Sequence, residues 1–221
     1  WDNLTITDNV ISNAMVGIYL GFTERSTIST NEVIDSMSTD IYLFYSSNIT
    51  VAYNSLTGGA GHGSAIDVCS SSYNHIAYNT LEANDNGVLV EAGSCHNLVE
   101  WNIVEVIYTM SGGEGYGITV AWSSAHNVVS NNTVSNADHG IHVDWGEGEM
   151  HDSNNRFVNN TITDSNVGIN IGLSSWAFVA DNEISNVIRG IVLNSCNNIL
   201  VLRNNVHDVS EVGIEVVKDL W

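Results

Sequence analysis

The chain has 221 residues, with 25 Asp plus Glu against 5 Lys plus Arg, no proline, 19 glycines and a formal charge of −20. So few cations exclude a sequence-independent nucleic-acid binder and a protein held to an anionic membrane surface. A hydrophobic share of 43% excludes disorder, and no apolar run reaches the ~20 residues that a membrane helix needs.

The first stretch sets a pattern. Ile6 is followed three residues later by Asn9, and Asn9 two residues later by Ile11. The same triplet returns around Asn31, Asn54, Asn79, Asn102, Asn132, Asn160, Asn182 and Asn204, at spacings of 22 to 30 residues. The apolar residue before each Asn runs from Ile6 and Ile28 to Val179 and Val201, and the one after it from Ile11 and Val33 to Ile184 and Val206. Each triplet leads to a second signature, Gly-aliphatic-x-aliphatic, starting at Gly17, Asp40, Ala65, Gly87, Gly117, Gly140, Gly168, Gly190 and Gly213.

Within both signatures the apolar period is two, which predicts strands. A ~22-residue unit of short strands cannot bury its apolar side alone, so neighbours must stack on it. The predicted fold is all-β, a parallel β-helix of about nine coils. At ~4.8 Å per rung it makes a rod roughly 43 Å long. One Asn per coil predicts a side-chain amide ladder, and Asn at a tight corner tolerates left-handed backbone. Gly before the last strand of each coil is expected for the same left-handed conformation. The absence of proline fits interior rungs that use their N–H groups on both sides.

The run Asn160-Thr161-Ile162 followed by Gly168-Ile169-Asn170-Ile171 resembles the right-handed parallel β-helix repeats of the pectate-lyase-like superfamily. Its Asn-rich style also resembles surface β-helix proteins of methanogenic archaea, including disaggregatase-like proteins. The resemblance extends over all nine coils. It implies a right-handed solenoid, and a fold shared by lyases, hydrolases, epimerases, adhesins and surface spacers. The paired Asp, Gly-His and Arg-x-Lys motifs associated with pectate lyases and polygalacturonases are not intact.

Departures from the repeat mark a face. Extra residues in the third and fifth coils, Gly58–Gly63 and Ile107–Gly115, leave at the same corner, and the sixth coil carries an acidic loop through Glu147, Glu149 and Asp152. Repeat proteins place insertions around binding faces. The Gly-aliphatic strands between these loops point Asp67, Glu91, His142 and Asp144 outward, with Tyr116, Trp122, His139, Trp145 and Arg189 beside them. Carboxylates among aromatic rings suit sugars, by hydroxyl acceptance and ring stacking. Asp67 and Glu91 are expected roughly 8 Å apart, within the ~6.5–9.5 Å span of inverting glycosidases. Asp144 with either histidine makes a general-base pair. His139-x-x-His142 with Asp144 is also a transition-metal motif, although strand alternation leaves the relative directions of the two histidines open.

Calcium is the cofactor that Glu147, Glu149 and Asp152 would take; nothing else in the sequence requires one. Cys69, Cys95 and Cys196 are too few and too scattered for a disulfide framework or a zinc motif, and read as small hydrophobes. The chain begins at Trp1 and shows no capping helix at either end. Residues 1–221 therefore read as a single β-helix domain, a segment of a longer rod or a unit that self-associates head to tail.

Three functions remain open. The first is an extracellular structural or adhesive module contacting a polysaccharide or cell-surface glycan. The second is a polysaccharide hydrolase or lyase working on the walled face. The third is a calcium-dependent carbohydrate-binding module. Nucleic acid and membrane insertion are excluded as partners.

Overall fold

A computed structural model describes residues 1–58, 63–83, 85–107, 115–144 and 154–218. The chain winds as a parallel solenoid with three strands per coil. The first ladder is a nine-stranded parallel sheet running from Thr5–Thr7 through His75–Ala77 to Leu200–Leu202. Eight pairings join its nine rungs, each in strict register, as in Ile76 opposite Val51 and Val99. The second ladder starts at Val10–Ser12 and the third at Val16–Gly21. In the last three coils these two ladders fuse into single long strands, Thr161–Gly172, Glu183–Asn194 and Asn205–Val217, so that together they form one 15-stranded sheet.

The predicted apolar columns line the interior. Ile28, Val51, Ile76, Val99, Val129, Phe157 and Val179 of the first ladder are fully buried, as are Val33, Leu56, Val104, Val134, Ile162 and Ile184 beyond the Asn corner. Each side chain packs on its equivalent one rung away, and full burial of a residue of this size contributes about 1.5–3 kcal/mol.

The Asn ladder runs the length of the solenoid. Asn79 illustrates an interior rung. Its Nδ2 donates to Asn102 Oδ1 at 2.9 Å and to Val51 O of the preceding rung at 2.9 Å. Its Oδ1 accepts from both the backbone N–H and the Nδ2 of Asn54, at 3.0 and 2.9 Å. One amide thus ties three rungs together.

Two expectations about the corners change. The ladder Asn does not occupy the left-handed region; the residue before it does. Asp8, Thr30, Tyr53, Tyr78, Trp101, Asn131, Asn159, Asp181 and Arg203 all have φ between 52° and 59°. The Asn amide satisfies the backbone groups that this corner leaves without strand partners, so a bulky residue can hold the strained φ. Gly87 and its equivalents, in turn, are not left-handed. They are needed because a Cβ at Gly87 would lie 2.3 Å from Val104 Cγ1 and 2.5 Å from Gly117 O of the next rung.

A second ladder went unpredicted. Asn74, Asn97, Asn127 and Asn155 stack five residues ahead of the first series, each Nδ2 reaching the next Oδ1 at 3.1 to 3.3 Å. Beside it Ser46, Ser71 and Ser94 accept from backbone N–H groups one rung earlier. The signal was present as Ser-x-x-Asn-x-aliphatic, in Ser71 to Ile76 and Ser94 to Val99.

Candidate functional site

The strands of the predicted face belong to the third ladder, whose register aligns its residues in columns. Tyr19, Tyr42, Asp67, Leu89, Thr119, His142 and Asn170 form one column across successive rungs. Phe44, Cys69 and Glu91 form the next column. Tyr116, His139, Val167 and Arg189 form a third.

Asp67 and Glu91 are diagonal neighbours one rung apart, since Asp67 pairs with Leu89 and Cys69 with Glu91. Glu91 and Cys69 are each only 9% exposed. Asp67 Oδ1 is buried and has no hydrogen-bond partner among the described residues. Burial, reinforced by the charge of Glu91, pushes the Asp67 carboxyl up to about 8. Burial also raises Glu91, against a contact with Cys69 that lowers it. The Tyr42 phenol is raised by the same burial and by its contact with Cys69. At neutral pH this arrangement keeps a proton on Asp67 beside a second carboxyl, which is the proton inventory of an acid–base pair.

The aromatic component lies mostly where the sequence reading did not look. Tyr19, Phe22, Tyr42, Phe44 and Tyr45 form a connected patch on the first two coils, with ring centroids 4.5 to 5.9 Å apart. Tyr19, Phe22 and Tyr45 are more than half exposed. The Tyr19 ring lies over Gly21, where a Cβ would be 2.9 Å from its Cε1 and Oη. The ring thus sits against Gly21 and stays half exposed. Tyr42 carries the patch directly to Asp67, its register partner.

Other exposed rings are arranged differently. Tyr53, Tyr78 and Trp101 stack on left-handed corner residues with interplanar angles of 4°. Tyr73, His96 and His126 do the same on the adjoining corner, at 6°. The middle rings, Tyr78 and His96, give both faces to neighbours.

The remaining predicted residues separate. Tyr116 and His139 join His142: the Tyr116 ring stacks on His142 at 4.6 Å and meets His139 edge-on at 5.4 Å. Arg189 shares their column but lies beyond Val167 and pairs with Glu215 at 3.4 Å. Trp122 sits at an exposed left-handed corner after its strand, off the trough. Asp144 ends the strand His139–Asp144, with its side chain outside the described part of the chain. Trp145, Glu147, Glu149 and Asp152 lie outside the described residues altogether.

The comparisons with known proteins agree with this architecture. A family model described as periplasmic copper-binding protein (NosD) matches residues 2–105, and one described as right handed beta helix region matches residues 108–219. Among solved structures, PfbA, a surface adhesin of Streptococcus pneumoniae, aligns at TM-score 0.73 and 15% identity, covering 99% of this chain and 71% of that one. The periplasmic alginate epimerase AlgG, as a mutant, aligns at 0.70 and 18%, covering 90% of this chain and 50% of that one. An exopolygalacturonase from Thermotoga maritima aligns at 0.60 and 14%, covering 86% and 55%. The chain thus spans about half the length of the epimerase and of the exopolygalacturonase. No curated protein matches it. These identities establish a shared fold, one found in polysaccharide-active enzymes and in a surface adhesin. With a family model covering half of its length and every described strand placed in a parallel solenoid, the chain belongs to the right-handed β-helix family.

Proposed function

We propose that the chain is an extracytoplasmic adhesive module that lays a neutral glycan along the outward face of its third ladder. The observation that carries this reading is the half-exposed aromatic patch of Tyr19, Phe22 and Tyr45, which Tyr42 joins to Asp67 on the next rung and so to Glu91. An open aromatic face stacks on the apolar side of a sugar ring, and the tyrosine hydroxyls and buried carboxyls bond its hydroxyls. The described side chains from Tyr19 to His142 on this face include no Lys or Arg, so a uronate polymer meets no countercharge there. The surface adhesin and periplasmic epimerase that share the fold support a location outside the cytoplasm. The copper in the NosD description does not enter this reading.

Affinity electrophoresis in gels cast with neutral and acidic polysaccharides tests the proposal. Retardation by a neutral glycan that is lost in Tyr19→Ala/Tyr45→Ala supports it. Equal mobility of the two proteins in every gel overturns it.

A second reading, hydrolysis of that glycan, is favoured by one observation: the buried Asp67 Oδ1, without a hydrogen-bond partner among the described residues, in a carboxyl that burial pushes up to about 8. In this reading Asp67 donates a proton to the leaving oxygen and Glu91 activates water. Release of reducing ends from a bound glycan, abolished by Asp67→Asn with binding retained, is the expected result. No release from any glycan that binds removes this reading and leaves the adhesive one standing.

A further inference from the structure

The ring nitrogens of His139 and His142 face each other at 2.7 Å, and the Asn170 side-chain amide lies 3.2 and 3.3 Å from the same two atoms. We propose that these three side chains form a binding site for a divalent first-row transition metal ion, with His139 Nδ1, His142 Nδ1 and Asn170 Oδ1 as ligands. The inference does not rest on the glycan reading, whose platform lies on the first coils.

The geometry is that of three donors converging on one point. Two ligand atoms held at ~2.1 Å from an ion, and ~80–105° apart around it, are roughly 2.7–3.3 Å from each other. All three observed separations fall in that span. Without an ion, one imidazole must carry its proton on Nδ1 and aim it at the other, with the Asn170 Nδ2 donating alongside. With an ion, both Nδ1 lone pairs point at the metal, both ring protons sit on Nε2, and the Asn170 amide turns over to present Oδ1.

The fold positions these groups. Histidines three apart on a regular strand point to opposite faces. Here Gly140 lies between them in the strand His139–Asp144, where a Cβ would be 2.4 Å from Ile162 Cγ2 and 2.7 Å from Gly168 O. His139 Nδ1 nonetheless meets His142 Nδ1 on one side of the strand. Asn170 is the register partner of His142 on the next rung, and Tyr116 packs on both imidazoles from the rung before. His142 is only 9% exposed, so the donors are held rather than free to rotate. Two imidazoles and a carboxamide oxygen suit cobalt, nickel, copper or zinc in preference to calcium.

The test titrates the protein with cobalt(II) chloride, following the visible ligand-field bands, and then displaces cobalt with zinc sulfate. One ion per chain is expected, with bands lost in His139→Ala and in Asn170→Leu while the far-ultraviolet dichroism is unchanged. Asn170→Asp, which adds a charged oxygen at the same place, is expected to tighten binding tenfold or more. That gain distinguishes ligation from a structural role, in which removing the amide would only weaken the fold. Absence of the bands, or bands of equal intensity in wild type, His139→Ala and Asn170→Leu, overturns the proposal.

Discussion

The Tyr19 ring and Gly21 are in mutual contact across one strand turn, so close that a β-carbon on Gly21 would lie 2.9 Å from Tyr19 Cε1 and Oη. Gly21 points outward, away from the core, so filling this space need not disturb the solenoid. Gly21→Ala is expected to push the Tyr19 ring aside and disturb the aromatic patch it shares with Tyr42. Melting temperature should barely move, while glycan retardation should fall severalfold, corresponding to about 1 kcal/mol of ring stacking. Retention equal to wild type would show that the ring does not lie against the ligand.

Position along the amide ladder sets the cost of removing a rung. Asn79→Ala leaves the Asn54 N–H without its acceptor and removes the side-chain donor from Asn102 Oδ1, which keeps only the backbone N–H, and from the Val51 carbonyl. An orphaned buried donor costs about 1–3 kcal/mol and each further lost bond about 1 kcal/mol, so a loss of several kcal/mol is expected. Asn204 is the last rung: it accepts from Asn182 and its Nδ2 donates to Val179 O, partly in contact with solvent. Asn204→Ala should cost about 1 kcal/mol. Urea unfolding of the two variants provides the comparison, and equal losses would mean that the ladder does not carry the stability.

The coil count, the Asn ladder and the four apolar columns were legible in the sequence because each repeats at fixed offsets and each reflects one dominant force. The outward columns were legible for the same reason, since period two fixes which residues share a face. What sequence could not supply was ring orientation. Tyr19 and Tyr53 are both exposed tyrosines on this solenoid, yet one packs beside a glycine with its ring tilted 60° to Tyr42, and the other stacks on Tyr78. Nor could alternation orient His139 relative to His142, because it places residues three apart on opposite faces, whereas the two ring nitrogens meet at 2.7 Å.

Two carboxyls make stability fall with rising pH. Asp40 takes the position that is glycine in most coils and is 3% exposed; burial raises it from 3.8 to about 7. Asp67 rises to about 8 through burial and the Glu91 charge. Both bind their proton more tightly folded than unfolded. Their contribution is therefore complete below pH ~4 and is lost as pH climbs through about 7 and 8. For Asp40 the loss is up to about 4 kcal/mol. Asp40→Asn/Asp67→Asn should have a flatter stability curve between pH 4 and 8 (the window of these two groups, roughly). The double variant and wild type should converge on the acid side and diverge on the basic side. Parallel curves by chemical denaturation would show that neither carboxyl is held neutral.

Tyr78 tests how the corners tolerate left-handed backbone. Its φ is 57°, and its ring is stacked between Tyr53 at 5.1 Å and Trp101 at 6.4 Å. Tyr78→Asn removes the ring but keeps a residue that accepts this φ, so it isolates the stacking, about 1 kcal/mol. Tyr78→Val removes the ring and adds a β-branch, which makes a positive φ costly. Valine should therefore be the worse substitution by about 1–2 kcal/mol, although valine has the higher strand propensity and the position adjoins the strand His75–Ala77. If corner strain is negligible beside ring stacking, the two variants will unfold at the same urea concentration. If strand propensity dominates, valine will be the more stable. A valine variant less stable than the asparagine one leaves the backbone conformation, held by the neighbouring Asn79 amide, as the governing term.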